Sequence, residues 1–483
     1  MADIGLIGLA VMGQNLVLNM SDKGYSVSVY NRTEAKTREF LAGPAAQHPR
    51  VQATYSIQEL VASLDRPRKV MLLVKAGAVV DAFIEQLLPH LEPGDIVIDG
   101  GNSHYPDSNR RADELAKHGI LFVGTGVSGG EEGARHGPSL MPGGNPEAWQ
   151  SIREIFQAIS AKAPDGAPCA DWVGPAGSGH YVKMVHNGIE YGDMQLISEA
   201  YHFMKTGLAM SNEQMQQIFL DWNSTELDSF LIEITAAILG TKDSDGSYVL
   251  DSVLDTAGQK GTGKWTGINA LDEGIPVTLI VEAVFARSLS ARKEERVAAS
   301  GILRGPGVQS ISGDQDQIVE DLRVALLASK IVSYAQGFML IRNASEQHDW
   351  KIDYGSVAGL WRAGCIIRSG FLGQITAAFG ENPGLNNLLL APWFTDVIHR
   401  AQAGWRRTVG RAIAAGIPVP AFATALAFYD GFRCEHLPAN MIQAQRDYFG
   451  AHTFERIDRP RGEFVHFDWA GTGGNATSGT YNA

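Results

Sequence analysis

The sequence predicts an α/β N-terminal domain built on a mostly parallel, doubly wound sheet, then a large all-helical domain and an extended C-terminal tail. Three observations predict it. Short apolar runs alternate with helical patterns up to about residue 175, helical periodicity fills most of 178–434, and the composition changes from Glu435 onward. The expected divisions are 1–176, 177–434 and 435–483.

In chain order the runs are IGLIG at 4–8, VSVY at 27–30, KVMLLV at 69–74, DIVID at 95–99 and ILFVG at 120–124. They are β-branched and almost continuously apolar, the mark of strands buried on both faces, with the intervening helices as the cover. Pro164, Pro168 and Pro175, within APDGAPCADWVGPAGSG at 163–179, mark a boundary. Beyond it FLIEITAAILG, ALLASKIVSYAQGFMLI and TALAFYDGF are helical in pattern, with few strand-like alternations. The closing GTGGNATSGTYNA is too poor in apolar residues to add much core, and a disordered tail is an equal reading of it.

A chain of 483 residues exceeds one ordinary domain, and 45% hydrophobic with 19% charged residues is a globular composition. The net charge of −13 argues against a general nucleic-acid or anionic-membrane surface, so an anionic ligand must be met by a few placed Lys and Arg. Three widely spaced cysteines, Cys169, Cys365 and Cys434, fit a reducing compartment better than a disulfide framework or a zinc site. The apolar N-terminus carries Asp3, lacks a basic flank and is broken by glycines, unlike a signal peptide. No uninterrupted apolar stretch is long enough to span a bilayer, and the expectation is a soluble cytoplasmic protein.

IGLIGLAVMGQN places Gly8, Ala10 and Gly13 in a G-x-A-x-x-G variant between a strand and a helix. Gly8 permits the tight turn, Ala10 leaves room for a pyrophosphate, and Gly13 lets helix and strand approach while the helix N-terminus faces the phosphates. At the end of the second strand, where an acid would bond the ribose 2′-hydroxyl of NAD, stand Asn31, Arg32 and Thr33. This favours NADP, because Arg accommodates a 2′-phosphate, although Arg32 could also be a solvated helix-start residue. VKAGA at 74–78, DGGNSHYP at 99–106 and GTGVSGGEEGA at 124–134 read as further loops on the same edge. In the last of these, the backbone N–H groups of Ser128, Gly129 and Gly130 could hold a carboxylate.

GSGHYVKMVHNGIEYGDMQ at 177–195 reads as helix and carries Lys183, His186, Asn187, Glu190 and Tyr191 within nine positions. At about 100° per residue these five share an arc of about 140°. Lys183 and Glu190 nearly superpose in projection, about 10 Å apart along the axis. Gly188 and Gly192 fall on the far side and suggest close packing there. Periodicity alone fits a solvated face as well as a catalytic one. A Lys depressed by burial can serve as a base near neutral pH, and a carboxyl raised by burial can supply a proton. Further cations are Lys260 beside Thr262 in GQKGTGKWT, Arg287 in VFARS, and Arg446 with His452 in QAQRDYFGAHT. KGTGK is not a nucleotide P-loop, and each site alone could be a charged turn.

Taken together, GLAVMGQN, YNRT, VKAGA, DGGN, GTGVSGGEEGA, HYVKMVHNGIEYGDMQLI, GQKGTGKWT, EAVFAR, SYAQGF, RAGCIIR and QAQRDYFGAHT resemble, in order and across essentially the whole chain, the 6-phosphogluconate dehydrogenase family. The resemblance implies a Rossmann-like domain, an all-helical dimerisation domain and a tail that reaches the partner subunit. It implies Lys183 as general base and Glu190 as general acid. Substrate contacts would be Asn102, Ser128, Gly129, Gly130, His186, Asn187, Tyr191, Lys260, Thr262 and Arg287, with Arg446 and His452 acting in trans. Of these, Tyr191, Lys260, Arg287 and Arg446 would hold the phosphate. Cofactor contacts would be Gly8, Leu9, Ala10, Val11, Met12, Gly13, Asn31, Arg32, Thr33, Val74, Lys75, Ala76 and Asn102. The implied reaction is NADP-dependent oxidative decarboxylation of 6-phospho-D-gluconate by a homodimer. No carboxylate cluster with ligand-like spacing is visible, consistent with a metal-free mechanism. Two rivals remain at this stage. A shorter-substrate β-hydroxyacid dehydrogenase would share Gly179, Lys183 and Asn187 without needing the cation set, and a non-catalytic NADP-sensing protein would not need both Lys183 and Glu190.

Overall fold

The computed structural model describes residues 1–306, 311–471, 473, 477 and 478. Most of the closing Gly/Ser/Thr-rich run read as a tail lies outside the described residues. Contacts divide the chain into two compact units, Met1–Ala425 and Leu426–Ala483.

The first unit opens on an eight-stranded sheet: β1 (Ile4–Ile7), β2 (Val27–Tyr30), β3 (Val51–Ala53), β4 (Lys69–Leu72), β5 (Ile96–Asp99), β6 (Leu121–Ser128), β7 (Ser139–Gly144) and β8 (Gly174–Pro175). Their spatial order is β3-β2-β1-β4-β5-β6-β7-β8, with every neighbouring pair parallel except β6 and β7. The connecting helices are α1 (Val11–Asp22), α2 (Glu34–Ala42), α3 (Ile57–Ala62), α4 (Ala78–Leu87), α5 (Tyr105–Ala116), α6 (Gly130–His136) and α7 (Pro146–Ile159). Leu16, Val17, Ile152 and Phe156 bury one face of the sheet, and Leu60, Phe83, Leu87 and Leu115 bury the other. Strand order reverses at β1, so the crevice for a ligand lies where β1 and β4 diverge.

The five expected strands form, and one reading needs correcting. The stretch at 124–134 is not a loop throughout, because β6 runs on to Ser128. Its glycines are there for an approaching helix: a Cβ at Gly124 would stand 2.7 Å from the His180 ring and one at Gly126 2.4 Å from Lys183 Cβ. SLMPGG at 139–144 is not among the expected strands, yet it forms β7, where a Cβ on Gly143 would meet Gly179 N at 2.5 Å.

That approaching helix is α8 (Ser178–His202), followed by α9 (Asn212–Trp222), α10 (Phe230–Gly240), α11 (Thr262–Asp272), α12 (Thr278–Ser290), α13 (Lys293–Ser300), α14 (Gln315–Gln347), α15 (Tyr354–Leu360), α16 (Leu372–Glu381), α17 (Pro392–Ala414) and α18 (Pro420–Phe432). The second unit carries α19 (Ala439–Gly450) and a hairpin of β9 (Phe454–Glu455) and β10 (Phe464–Val465). Gly188 and Gly192 do mark close packing. A Cβ at Gly188 would lie 2.8 Å from Thr266 on α11, and one at Gly192 2.5 Å from Ser333 on α14. Helix α14 is long and apolar enough to cross a membrane by length and composition, yet 89% of its most apolar window is buried in the fold.

Helices α8 and α14 are also tied by a fully buried ion pair, Lys330 Nζ to Asp193 Oδ2 at 2.6 Å. Removing one partner leaves an uncompensated buried charge, so Lys330→Met should cost about 3 kcal/mol in urea unfolding, while the double replacement Lys330→Met with Asp193→Leu should cost less.

Candidate active site

The crevice at the strand-order reversal is a cleft of about 640 Å³. Gly8, Leu9, Ala10, Val11, Met12, Gly13, Asn31, Arg32, Thr33, Val74, Lys75 and Asn102 line it, so the expected cofactor residues come together except Ala76, which sits next to Lys75 in the β4–α4 loop. Gly8 has φ of +108°, and a Cβ there would stand 2.4 Å from Leu73 O, so only glycine fits the turn. A Cβ at Gly13 would come within 1.9 Å of Gly8 O, so glycine here sets the close approach of α1 to β1. The Asn31 side chain fastens the turn, its Oδ1 accepting Leu9 N–H at 3.1 Å and its Nδ2 donating to Thr33 O at 3.1 Å. The first turn of α1 has no acidic side chain and no side-chain cap, so its N–H groups face the cleft unopposed. Lys36 joins Arg32 on the lining. Small turn residues, an open helix N-terminus and two cations beyond β2 fit a dinucleotide that carries a 2′-phosphate.

Two loops of this edge are held from below by Arg111, 1% exposed. It donates to Asp99 Oδ2 at 3.1 Å, Asp81 Oδ1 at 2.7 Å and Gly77 O at 3.1 Å, while Asp99 also accepts Ser103 Oγ–H and Gly101 N–H. One guanidinium thus ties the loop carrying Val74 to Ala76 to the loop carrying Asn102.

Across from the cleft, the polar arc of α8 is buried rather than solvated. Lys183 is 5% exposed and His186 0%, while the Glu190 side chain keeps 22%. Lys183 Nζ lies 3.2 Å from His186 Nδ1, which also lies 2.9 Å from Asn187 Oδ1 and 3.8 Å from Glu190 Oε2. On the other ring edge, His186 Nε2 lies 3.0 Å from Ser128 Oγ and 2.9 Å from Cys365 Sγ. Asn187 Nδ2 donates to Thr262 Oγ1 at 2.9 Å, which brings in the start of α11. The Arg287 guanidinium lies 3.6 Å above the Tyr191 ring and donates to Gly258 O, tethering the loop that holds Lys260. Gly129 and Gly130, both at positive φ, follow Ser128 at the start of α6. Arg446 and His452 lie in the second unit, on α19 and just after it, where Arg446 donates to Gln443 Oε1 and His452 meets Ser478 Oγ.

Burial drives the electrostatics. It lowers the Lys183 amine below the ordinary lysine value, against the opposing pull of Glu190 and Cys365. It raises the Glu190 carboxyl, helped by Asp193 and opposed by Lys183, Arg287 and Lys260. It holds His186 well below the ordinary histidine value and pushes the Cys365 thiol up to about 12. An amine shifted toward its neutral form and a carboxyl shifted toward its protonated form, on one helix face, are suited to take a proton at one end of a small molecule and give one at the other.

Sequence reasoning did not single out Lys36, Arg111 or Cys365 as site residues. Lys36 is one helical turn beyond Arg32, and Arg111 sits on the stripe of Ser108, Ala112 and Leu115 that faces the sheet, so both had a signal in their spacing. Cys365 had none.

Family models match nearly the whole chain: residues 3–174 by the NAD binding domain of 6-phosphogluconate dehydrogenase, and residues 179–469 by the C-terminal domain of 6-phosphogluconate dehydrogenase. The chain is 62% identical over 480 residues to the decarboxylating 6-phosphogluconate dehydrogenase of Haemophilus influenzae, covering 99% of both chains. It is 60% identical over 482 residues to that of Mus musculus, covering 100% of this chain and 99% of the relative. Among solved structures, 6-phosphogluconate dehydrogenase of Plasmodium falciparum, described apo, with its cofactor NADP+ and with its substrate 6-phosphogluconate, superposes with a TM-score of 0.93. It is 45% identical and covers 96% of this chain and 100% of its own.

The two cations beyond β2 lead to a measurable expectation. Arg32→Ala should weaken NADP binding by about 10- to 100-fold, the worth of charge-assisted hydrogen bonds, and Lys36→Ala should weaken it less, while NAD binding changes little in titration calorimetry. Equal losses for both dinucleotides would show that neither cation meets a 2′-phosphate.

Proposed function

The chain belongs to the 6-phosphogluconate dehydrogenase family, and from that premise we propose that it converts 6-phospho-D-gluconate to D-ribulose 5-phosphate and CO₂ while reducing NADP to NADPH, the oxidative decarboxylation of the pentose phosphate pathway. One observation carries the residue assignment: Lys183 and Glu190 lie on one buried helix face, and burial pushes each toward its neutral form.

NADP in the cleft supplies the hydride acceptor. Lys183 Nζ, starting as the amine, takes the C3 hydroxyl proton as the C3–H bond gives up its hydride. The resulting 3-keto acid loses its carboxylate as CO₂, and the bonding pair moves into an enediol. Lys183, now an ammonium, returns its proton to the C3 oxygen as charge collects there. Glu190 then protonates the old C2, which becomes C1 of the product, while Lys183 recovers the C3 oxygen proton. Net, the lysine has gained one proton and the glutamic acid has lost one, and exchange with solvent restores both. In this reading Ser128, Gly129, Gly130, His186, Asn187 and Asn102 orient the sugar acid. Thr262 is a further substrate contact, Tyr191, Lys260 and Arg287 meet the phosphate end, and the pairing of Arg287 with Tyr191 supports that end of the assignment.

The same reading makes the protein a cytoplasmic homodimer, with Arg446 and His452 completing the partner's substrate site and Arg446 at its phosphate end. Its support is the resemblance together with the placement of both residues in a separate compact unit.

Turnover is tested by NADPH absorbance and CO₂ release with 6-phosphogluconate. Lys183→Ala and Glu190→Ala should each lose about 100-fold or more in kcat. The plot of kcat/KM against pH should be bell-shaped. Activity falls on the acid side as Lys183 takes up a proton, at a pH below the ordinary lysine value. It falls on the alkaline side as Glu190 loses one, at a pH above the ordinary carboxyl value. No turnover by the unmodified protein would sink the assignment.

A chain ending before residue 435 should lose phosphate-end affinity and dimer stability by sedimentation. Full activity from a monomeric truncate would disprove the shared site.

A further inference from the structure

The imidazole of His186 is enclosed on every side. Lys183, Asn187 and Glu190 face it from α8, Ser128 from β6, and Cys365 from the segment after α15, with the Trp361 ring edge-on at 5.7 Å. The ring is fully buried and held neutral, so its two nitrogens share a single proton. That proton has to be placed among four close neighbours.

Asn187 decides the Nδ1 edge. Its amide nitrogen is committed to Thr262 Oγ1 at 2.9 Å, which turns its oxygen toward Nδ1, also at 2.9 Å. An oxygen and a bare ring nitrogen at that distance would set lone pair against lone pair, so the proton lies on Nδ1. Nε2 is then a bare acceptor in a dry site and needs a donor. Cys365 Sγ lies 2.9 Å away, within hydrogen-bond distance, and its S–H can donate to Nε2. Ser128 Oγ, at 3.0 Å, is the other candidate. It also accepts the Ile366 N–H at 3.5 Å and sits at the end of β6, where its hydroxyl is proposed to face substrate.

We propose that Cys365 is a positioning residue for the reaction, its S–H donating to Nε2 and holding His186 in the Nδ1–H tautomer. The consequence reaches Lys183, whose Nζ lies 3.2 Å from Nδ1. With its N–H committed to Asn187 Oδ1, Nδ1 offers an ammonium no lone pair, whereas a bare Nδ1 would accept from the ammonium and stabilise its charge. The tautomer therefore favours the neutral lysine that the proposed base mechanism needs, and the thiol acts on the base through the imidazole. Without the thiol, the proton can move to Nε2 and bond Ser128 Oγ at the expense of the Asn187 contact, leaving Nδ1 as an acceptor that stabilises the ammonium.

The inference rests on the assignment of Lys183 as base, and its test separates the two. In protein labelled with ¹⁵N at histidine, the ring nitrogen shifts of His186, identified by difference from a His186→Gln spectrum, should report Nδ1–H. Cys365→Ala should populate Nε2–H, and Cys365→Ser should restore Nδ1–H. In parallel the acid limb of kcat/KM should move up by about one pH unit in Cys365→Ala, the worth of about one net hydrogen bond, and return in Cys365→Ser. A merely structural thiol would change kcat and stability while leaving the limb in place, and that result overturns the proposal. So does an Nε2–H tautomer in the unmodified protein, or an unchanged tautomer in Cys365→Ala, which would make Ser128 the donor. The tautomer readout needs no turnover, so it decides the role of Cys365 even if the proposed activity is absent.

Discussion

A lysine stem pressed onto a glycine is the constraint on which the rest of the structure depends. Gly126 offers no Cβ, so Lys183 can lie against β6 with its amine in a place that water barely reaches. A desolvated amine resists its charge, and that resistance turns an ordinary surface residue into a candidate base. Everything that brings α8 to this position follows from the same requirement. Gly124 makes room for His180, Gly143 and Gly179 let the helix start against β7, and Gly188 and Gly192 let α11 and α14 close in from behind.

The cost of enclosing charge is met locally. Asp193, one turn beyond Glu190, is buried with Lys330, and Arg111 is buried with Asp81 and Asp99. Each pair joins two elements that must keep register, α8 with α14 in one case and two cleft loops in the other. Glu190 has no cation at ion-pair distance among the described residues, and burial raises its carboxyl. Burial raises both carboxyls of this helix, Asp193 against the opposing pull of Lys330 and Glu190 against that of Lys183 and Arg287.

Much of this was legible in the residues. The G-x-A-x-x-G turn, the cations after β2 and the five polar positions of α8 have signatures set by fixed backbone geometry: a turn that admits only glycine, and a 100° step that collects residues on one face. The strands missed were β3, β7 and β8, short or rich in glycine and proline, where composition speaks for a turn and only pairing with neighbours makes a strand. Arg111 stands beside Arg110, and only its register with Ser108, Ala112 and Leu115 puts it on the face toward the sheet.

The layers, the dinucleotide turn and the line joining Lys183 to Glu190 are written in the residue order, because they depend on local geometry and on the succession of apolar runs. Tertiary structure decided whether that line faced water or protein. It did so by bringing β6, α11, α12 and the segment around Cys365 to α8 from distant parts of the chain. Protonation state belongs to that second category. It is set by the dielectric and by the donors within a few ångströms of a group, and no spacing along the chain encodes them.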